Sequence, residues 1–241
     1  MANEEQLKKI PVMEILRDSF LFWKEKQKAT LLFSLAVMFL SGSFFVAGGV
    51  SESWFLLWLA VFYLFWFFFF RYVFERRPYL FSGEFFTSLI PSIKVFFLVL
   101  LVLSVLYFIP FIPLFMEVPI EVKDNYTAFL QRYMQDSSVV DIVLYAVLFL
   151  ASPLFFFRPL LAWIAAITGR SWAISTAWNK TRGNYGAMLA LMLVLALPPL
   201  AVFCVFGYLL WPLWLAAIIL SPLFVFGGIV FSRVYKLLYS F

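Results

Sequence analysis

The chain has 241 residues, of which 65% are hydrophobic and 13% charged, with mean hydropathy +0.98 and net charge +5. No water-soluble fold of this length can cover that much apolar surface, so lipid must be its main solvent. Histidine is absent and cysteine occurs once, as Cys204 in an apolar run. This removes the ordinary general base, the commonest metal ligand and any internal disulfide, and leaves Cys204 as a small core or lipid-facing residue.

The opening MANEEQLKKIPVMEILRDSF lacks the short apolar core and cleavage site of a secretory signal peptide, so the first hydrophobic span is expected to stay as an anchor. Residues Pro11 to Lys28 predict an interfacial helix. Val12, Ile15, Leu16, Ser19, Phe20 and Trp23 fall on one side of it, opposite Glu14, Arg17, Asp18, Lys24, Glu25 and Lys28. Leu21 alone lies on the wrong face.

Thr30 to Val50 and Trp54 to Phe74 are the first two predicted spans, each near the ~20 residues that cross a bilayer core. Gly42, Gly48 and Gly49 would admit a close neighbour in the first, and Arg71, Glu75, Arg76, Arg77 and Pro78 stop the second. Ser82 to Lys94 predicts a second surface segment, with Ser82 as N-cap. Its apolar face would hold Phe85, Phe86, Leu89, Ile90 and Ile93, with Glu84, Thr87, Ser88, Ser92 and Lys94 opposite. Pro91 should bend it into a third span, Val95 to Met116, whose far end carries Pro110 and Pro113.

Glu117 to Ser138 is an acidic connection with a short helix from Asp124 to Gln135. Asn125-Tyr126-Thr127 within it has the form of a glycosylation site, relevant only in a eukaryotic host. The fourth span, Val139 to Thr168, is too long for a perpendicular crossing, and Pro153 and Arg158-Pro159 should break or tilt it. A third surface segment, Gly169 to Gly186, groups Ala173, Ile174, Ala177 and Trp178 against Ser171, Ser175, Asn179 and Arg182, and stops at Gly183-Asn184. Ala187 to Phe206 and Pro212 to Val230 complete six spans.

The resulting expectation is an all-α polytopic membrane protein forming one integral domain over residues 1–241. Six transmembrane helices make three hairpins, each preceded by an interfacial amphipathic helix. Residues 11–74, 82–168 and 169–230 would then be three parallel repeats, all beginning on the same side. The N-terminus, the loops 71–94 and 169–186 and the C-terminus hold 15 of the 18 Lys and Arg. By the positive-inside rule both termini are cytoplasmic, and the charge reports topology and anionic headgroups, not nucleic acid.

Arg170 to Tyr185, RSWAISTAWNKTRGNY, resembles the membrane domain found beside some bacterial glycerophosphodiester phosphodiesterases and in inner-membrane proteins of the YciC type. The most specific part is Ala177-Trp178 followed by Thr181-Arg182-Gly183-Asn184; the opening Glu14 to Lys26, EILRDSFLFWKEK, is similar as well. The resemblance implies a helical module of the bacterial inner membrane. It implies no phosphodiesterase activity, because the catalytic barrel of those enzymes is absent from this chain.

Arg158 is the one charge well inside a predicted span, and such a charge is a functional hypothesis by default. Two readings stay open: it binds a lipid phosphate or a partner's carboxylate, or it snorkels to the headgroups from about 15 Å inside. Asp141 lies about 25 Å away along a helix, too far to pair with it, and the final 100 residues carry no carboxylate. The Lys180 to Asn184 turn either holds a phosphate or is an ordinary basic cytoplasmic loop. Arg158, Arg170, Lys180 and Arg182 are therefore the candidate lipid-phosphate or partner-binding residues. No catalytic residue, metal site or cofactor is expected. The composition favours a non-enzymatic scaffold, assembly factor or accessory subunit bound to other membrane proteins and to anionic lipid. The alternative is a lipid-handling or small-solute transport protein with a basic cytoplasmic ring.

Overall fold

A chain with so little polar surface to spare must pair its backbone N–H and C=O groups within itself. Among the described residues of the computed structural model, 9–46, 52–74, 83–108, 147, 153–169, 174–208 and 213–239, it does so with helices and no strand. In chain order these are α1 (Val12–Glu25), α2 (Gln27–Val46), α3 (Glu52–Val73), α4 (Gly83–Phe108), a π-helical turn (Pro153–Phe157), α5 (Arg158–Ile167), α6 (Ile174–Lys180), α7 (Tyr185–Tyr208) and α8 (Leu213–Tyr239). Two helices are long and apolar enough to cross a membrane, over Leu56–Val73 and Ile218–Tyr239. Shorter apolar stretches lie at Gln27–Ser41, Phe85–Leu101, Phe155–Ile167 and Tyr185–Pro199.

The helix directions follow from the pairs that touch. Phe33 on α2 meets Phe69 and Tyr72, while Leu40 accepts a hydrogen bond from Trp58 Nε1 at 2.7 Å, so α2 and α3 are antiparallel. Tyr63 bonds Ser92 and Arg71 bonds Ser88, so α4 also opposes α3. Gly228 lies against Phe69 and Tyr235 against Phe74, so α8 runs with α3. Phe157 meets Phe231 at 4.7 Å and Thr168 Oγ1 bonds the Tyr235 hydroxyl at 3.1 Å, so α5 runs with α8. The three like-directed helices α3, α5 and α8 pack on one another at the centre, and α2, α4 and α7 lie around them.

Aromatic rings fill that centre. Trp163 on α5 lies 5.6 Å from Phe70, 5.1 Å from Phe96 and 6.2 Å from Tyr63. Every residue of α5 is buried. At Gly228 a Cβ would come within 2.6 Å of Phe69 and 2.7 Å of Trp66, so only glycine lets α8 approach α3 this closely.

Several expectations are corrected. Ser82 to Lys94 is not separate from the span after it: α4 runs unbroken through Pro91. Its inward face is also shifted, so that it holds Phe85, Ser88, Ser92 and Phe96. Ser88 and Ser92 are buried at 1% and 0% exposure, while Phe86 and Ile90 are exposed at 46% and 57%. Thr30 and Ser34 on α2 are likewise inside, with Leu31, Leu32 and Phe39 outside. The buried hydroxyls need no external partner because each donates back to its own helix, as Ser34 does to the Thr30 carbonyl at 2.8 Å and Ser92 to that of Leu89 at 2.9 Å.

On α1 the expected face holds, with Ile15 and Ser19 buried and Val12, Leu16 and Trp23 packed on the core, except that Phe22 is buried and Phe20 exposed. The cause is tertiary: α1 lies across α8, with Trp23 against Phe226. The last helix does not end before Arg233 but continues to Tyr239. The expectations for Gly48, Gly49, Glu75 to Ser82, Pro110, Pro113, the Glu117 to Ser138 connection and residues 139–146 lie outside the described residues.

The α6 to α7 turn anchors the N-terminus. Gly183 takes φ +80°, a conformation open to glycine without strain. The Asn184 carbonyl then accepts the Met188 N–H at 2.9 Å, starting α7, and the Asn184 side-chain oxygen accepts the Ile10 N–H at 2.9 Å.

Gly228→Ala is expected to destabilise the protein by about 1–3 kcal/mol, the usual cost of overpacking. Gly227→Ala, whose added methyl meets nothing within 4 Å, should be neutral or mildly stabilising. Thermal unfolding in detergent separates the two, and equal melting temperatures would refute the close α3–α8 contact. Asn184→Ala leaves the buried Ile10 N–H unpaired, so it should cost about 1–3 kcal/mol and speed proteolysis ahead of Val12; unchanged cleavage would show that this bond does not hold the N-terminus.

Candidate functional site

Two buried arginines mark the polar features of the interior, and the fold treats them differently. Arg71, near the end of α3, donates from Nη1 to Ser88 Oγ at 2.9 Å, and Ser88 in turn donates to the Phe85 carbonyl at 3.0 Å. With Tyr63 and Ser92 one and two turns away, this makes a polar seam between α3 and α4, sealed by Phe67 and Phe96. Hydroxyl bonds of this kind join helices that have no hydrophobic reason to separate from lipid. Ser88 and Ser92 were expected on the outer polar face, so a structural role for them was not visible in the sequence.

Arg158 is the other. It opens α5, where Pro159 takes the early position that tolerates a missing N–H. Phe157 before it is fixed against Phe231. The residue is 6% exposed, and its guanidinium carbon lies 4.0 Å from the centroid of the Trp178 ring. Stacking of this geometry is worth about 0.5–2 kcal/mol, more as the pair is desolvated. Arg158 Nε has no hydrogen-bond partner among the described residues, and no described carboxylate forms an ion pair with it.

Trp178 reaches Arg158 because α6 packs along α5. Thr168 and Gly169 end α5, with Gly169 at φ +79°, and the chain folds back so that Ala177 is fully buried while Trp178 stays 42% exposed. The indole therefore covers the guanidinium on one side and opens outward on the other.

Of the other expected site residues, Lys180 is the last residue of α6 and half-buried, and Arg182 is exposed in the turn after it. Arg170 lies outside the described residues. The structure thus brings Arg158 to the helix that carries Lys180, although the two residues are far apart in sequence. Another cation, Arg233 on α8, lies 5.1 Å from the Phe22 ring centroid, and its Nε has no hydrogen-bond partner among the described residues. Trp178 itself was grouped with the apolar face of its helix. No local signal could distinguish it, because its partner is 20 positions earlier and reached only through the Gly169 turn. Comparison with protein-family models, curated proteins and solved structures finds no match to this chain.

Proposed function

We propose that this chain is a non-enzymatic integral membrane protein of six crossings, an accessory, scaffold or assembly subunit of a larger membrane complex with both termini in the cytoplasm. The observation that carries the membrane part is the apolar outward surface of α2 and α4, with Leu31, Leu32, Phe39, Phe86, Ile90 and Leu101 exposed while Thr30, Ser34, Ser88 and Ser92 are buried. Such a surface is unfavourable against water and favourable against acyl chains or partner helices.

Six crossings are supported by the helix directions. The second, fourth and sixth predicted spans correspond to α3, the Phe157–Ile167 region and α8, which run alike, while α2 and α4 run against them. That alternation is what a chain crossing back and forth requires. The contacts support three repeats too: each outgoing helix borders the return helix of another unit, α2 beside α8, α7 beside the π-helical turn and α4 beside α3. The likeness of Arg170 to Tyr185 to proteins of the YciC type supports the bacterial inner membrane as the location.

A scaffold is favoured over a carrier because the centre is closed by interlocked rings, with Phe67, Phe157, Leu161 and Ile164 at 0% exposure. A carrier needs a polar route at that depth. The second reading, lipid handling, is favoured by one observation, the buried Arg158 whose Nε has no partner among the described residues.

Carbonate washing should leave the protein in the membrane, and a reporter fused after Tyr126 should be found outside the cytoplasm; a cytoplasmic signal refutes six crossings. Native purification in mild detergent should retain a stoichiometric membrane-protein partner. Isolation of the chain alone, with one enriched anionic lipid, would support the lipid-handling reading instead.

A further inference from the structure

We propose that Arg158 and Trp178 form a binding site for a single phosphate group, entered past the exposed edge of the Trp178 ring. The site deepens the lipid-handling reading, and only its lipid source depends on the chain being in a membrane.

A buried guanidinium without a counter-ion is costly, and native proteins pair such groups or give them a ligand. Arg71 shows the first solution in this same chain, with its bond to Ser88. Arg158 makes no such hydroxyl bond among the described residues; the Nε of both arginines is unbonded there, and the ring of Trp178 supplies a face but no acceptor. Helices α5 to α8 cannot supply an anion, since no Asp or Glu follows Asp141.

The geometry selects the kind of anion. The indole covers the guanidinium and leaves its N–H edge, the fork that binds two oxygens of one group in parallel. Helices α6 and α8, which pack on α5, also carry cations. Lys180 ends the helix of Trp178, and Arg233 follows Phe231, whose ring meets Phe157 next to Arg158. Several cations and no acid on these helices favour a multi-oxygen anion of full negative charge, the chemistry of a phosphate monoester or diester. Trp178, 42% exposed, is the cover between Arg158 and the outside, and the basic end of the bundle is where headgroup phosphates would lie. The same chemistry is offered by a lipid headgroup and by free phosphate.

The test uses the full chain, delipidated in detergent, with three probes: phosphatidylglycerol, diacylglycerol of the same acyl chains, and inorganic phosphate. Native mass spectrometry and equilibrium dialysis read binding, and thermal unfolding reads stability. Wild type should bind one phosphatidylglycerol and not diacylglycerol. Arg158→Leu should weaken that binding by about tenfold or more, as expected for losing a charge-assisted bidentate contact, and Arg158→Lys by less. Trp178→Ala should weaken it severalfold, while Arg182→Gln, in the exposed turn, should not.

Without ligand, Arg158→Leu should melt no lower than wild type, because it removes an unpaired buried charge. With phosphatidylglycerol only wild type should gain stability. Binding of inorganic phosphate that depends on Arg158 assigns the free source; binding of phosphatidylglycerol undiminished by phosphate assigns the lipid source. Release of the chain by carbonate would remove the membrane reading and leave the phosphate arm to decide the site. The proposal is overturned if both Arg158 variants bind every probe as wild type does. It is also overturned if Arg158→Leu instead loses a co-purifying protein, which would make the occupant a partner's carboxylate.

Discussion

At Gly228 the backbone of α8 comes up to the rings of Phe69 and Trp66, and the arrangement of the other helices depends on that approach. With α8 held against α3, its remaining faces receive α2, α1 and α7, and α5 closes the third side of the centre. Edge-on and tilted rings make up the contacts, and each such pair adds about 0.5–1.5 kcal/mol beyond the area it covers. In lipid this matters more than in water. Acyl chains solvate Leu and Phe as well as a protein core does, so helices stay together through close packing and internal hydrogen bonds.

Polar groups of the interior are satisfied largely within the protein. Hydroxyls on α2, α4 and α8 turn inward and donate to carbonyls of their own helix, as Ser232 does to Gly228 at 2.9 Å. Tyr63, Ser92, Ser88 and Arg71 then join α3 to α4 along one seam. Against this background Arg158 is the exception. It is as deeply buried as Arg71, and each guanidinium lies over an aromatic ring, but Arg71 also donates to the Ser88 hydroxyl, and that difference underlies the proposed phosphate site.

The site and the N-terminus are mechanically close in the chain. Trp178 sits on the short helix α6, the Gly183 turn follows, and Asn184 both starts α7 and holds Ile10. Six positions along the chain thus separate the ring over Arg158 from the side chain that binds Ile10.

Local chemistry alone determined that the chain is helical and apolar, that Gly183-Asn184 ends one helix, and that a break falls near Pro153, where a π-helical turn lies. Each of these depends on residues within a few positions of one another. Periodicity also located the amphipathic stretches and placed the inward face of α1 apart from Phe20 and Phe22, but on α4 it put Ser88 and Ser92 outside and Phe86 and Ile90 inside. A helical wheel ranks residues by affinity for water, whereas these helices were sorted by neighbours: α8 took Phe22, and α3 took Ser88 and Ser92. Arg158 was legible as an unusual charge. That it lies beneath Trp178, next in space to the helix of Arg233, was decided only by the tertiary structure, because the contacts join residues far apart in sequence, Arg158 with Trp178 and Phe157 with Phe231, and no local pattern records them.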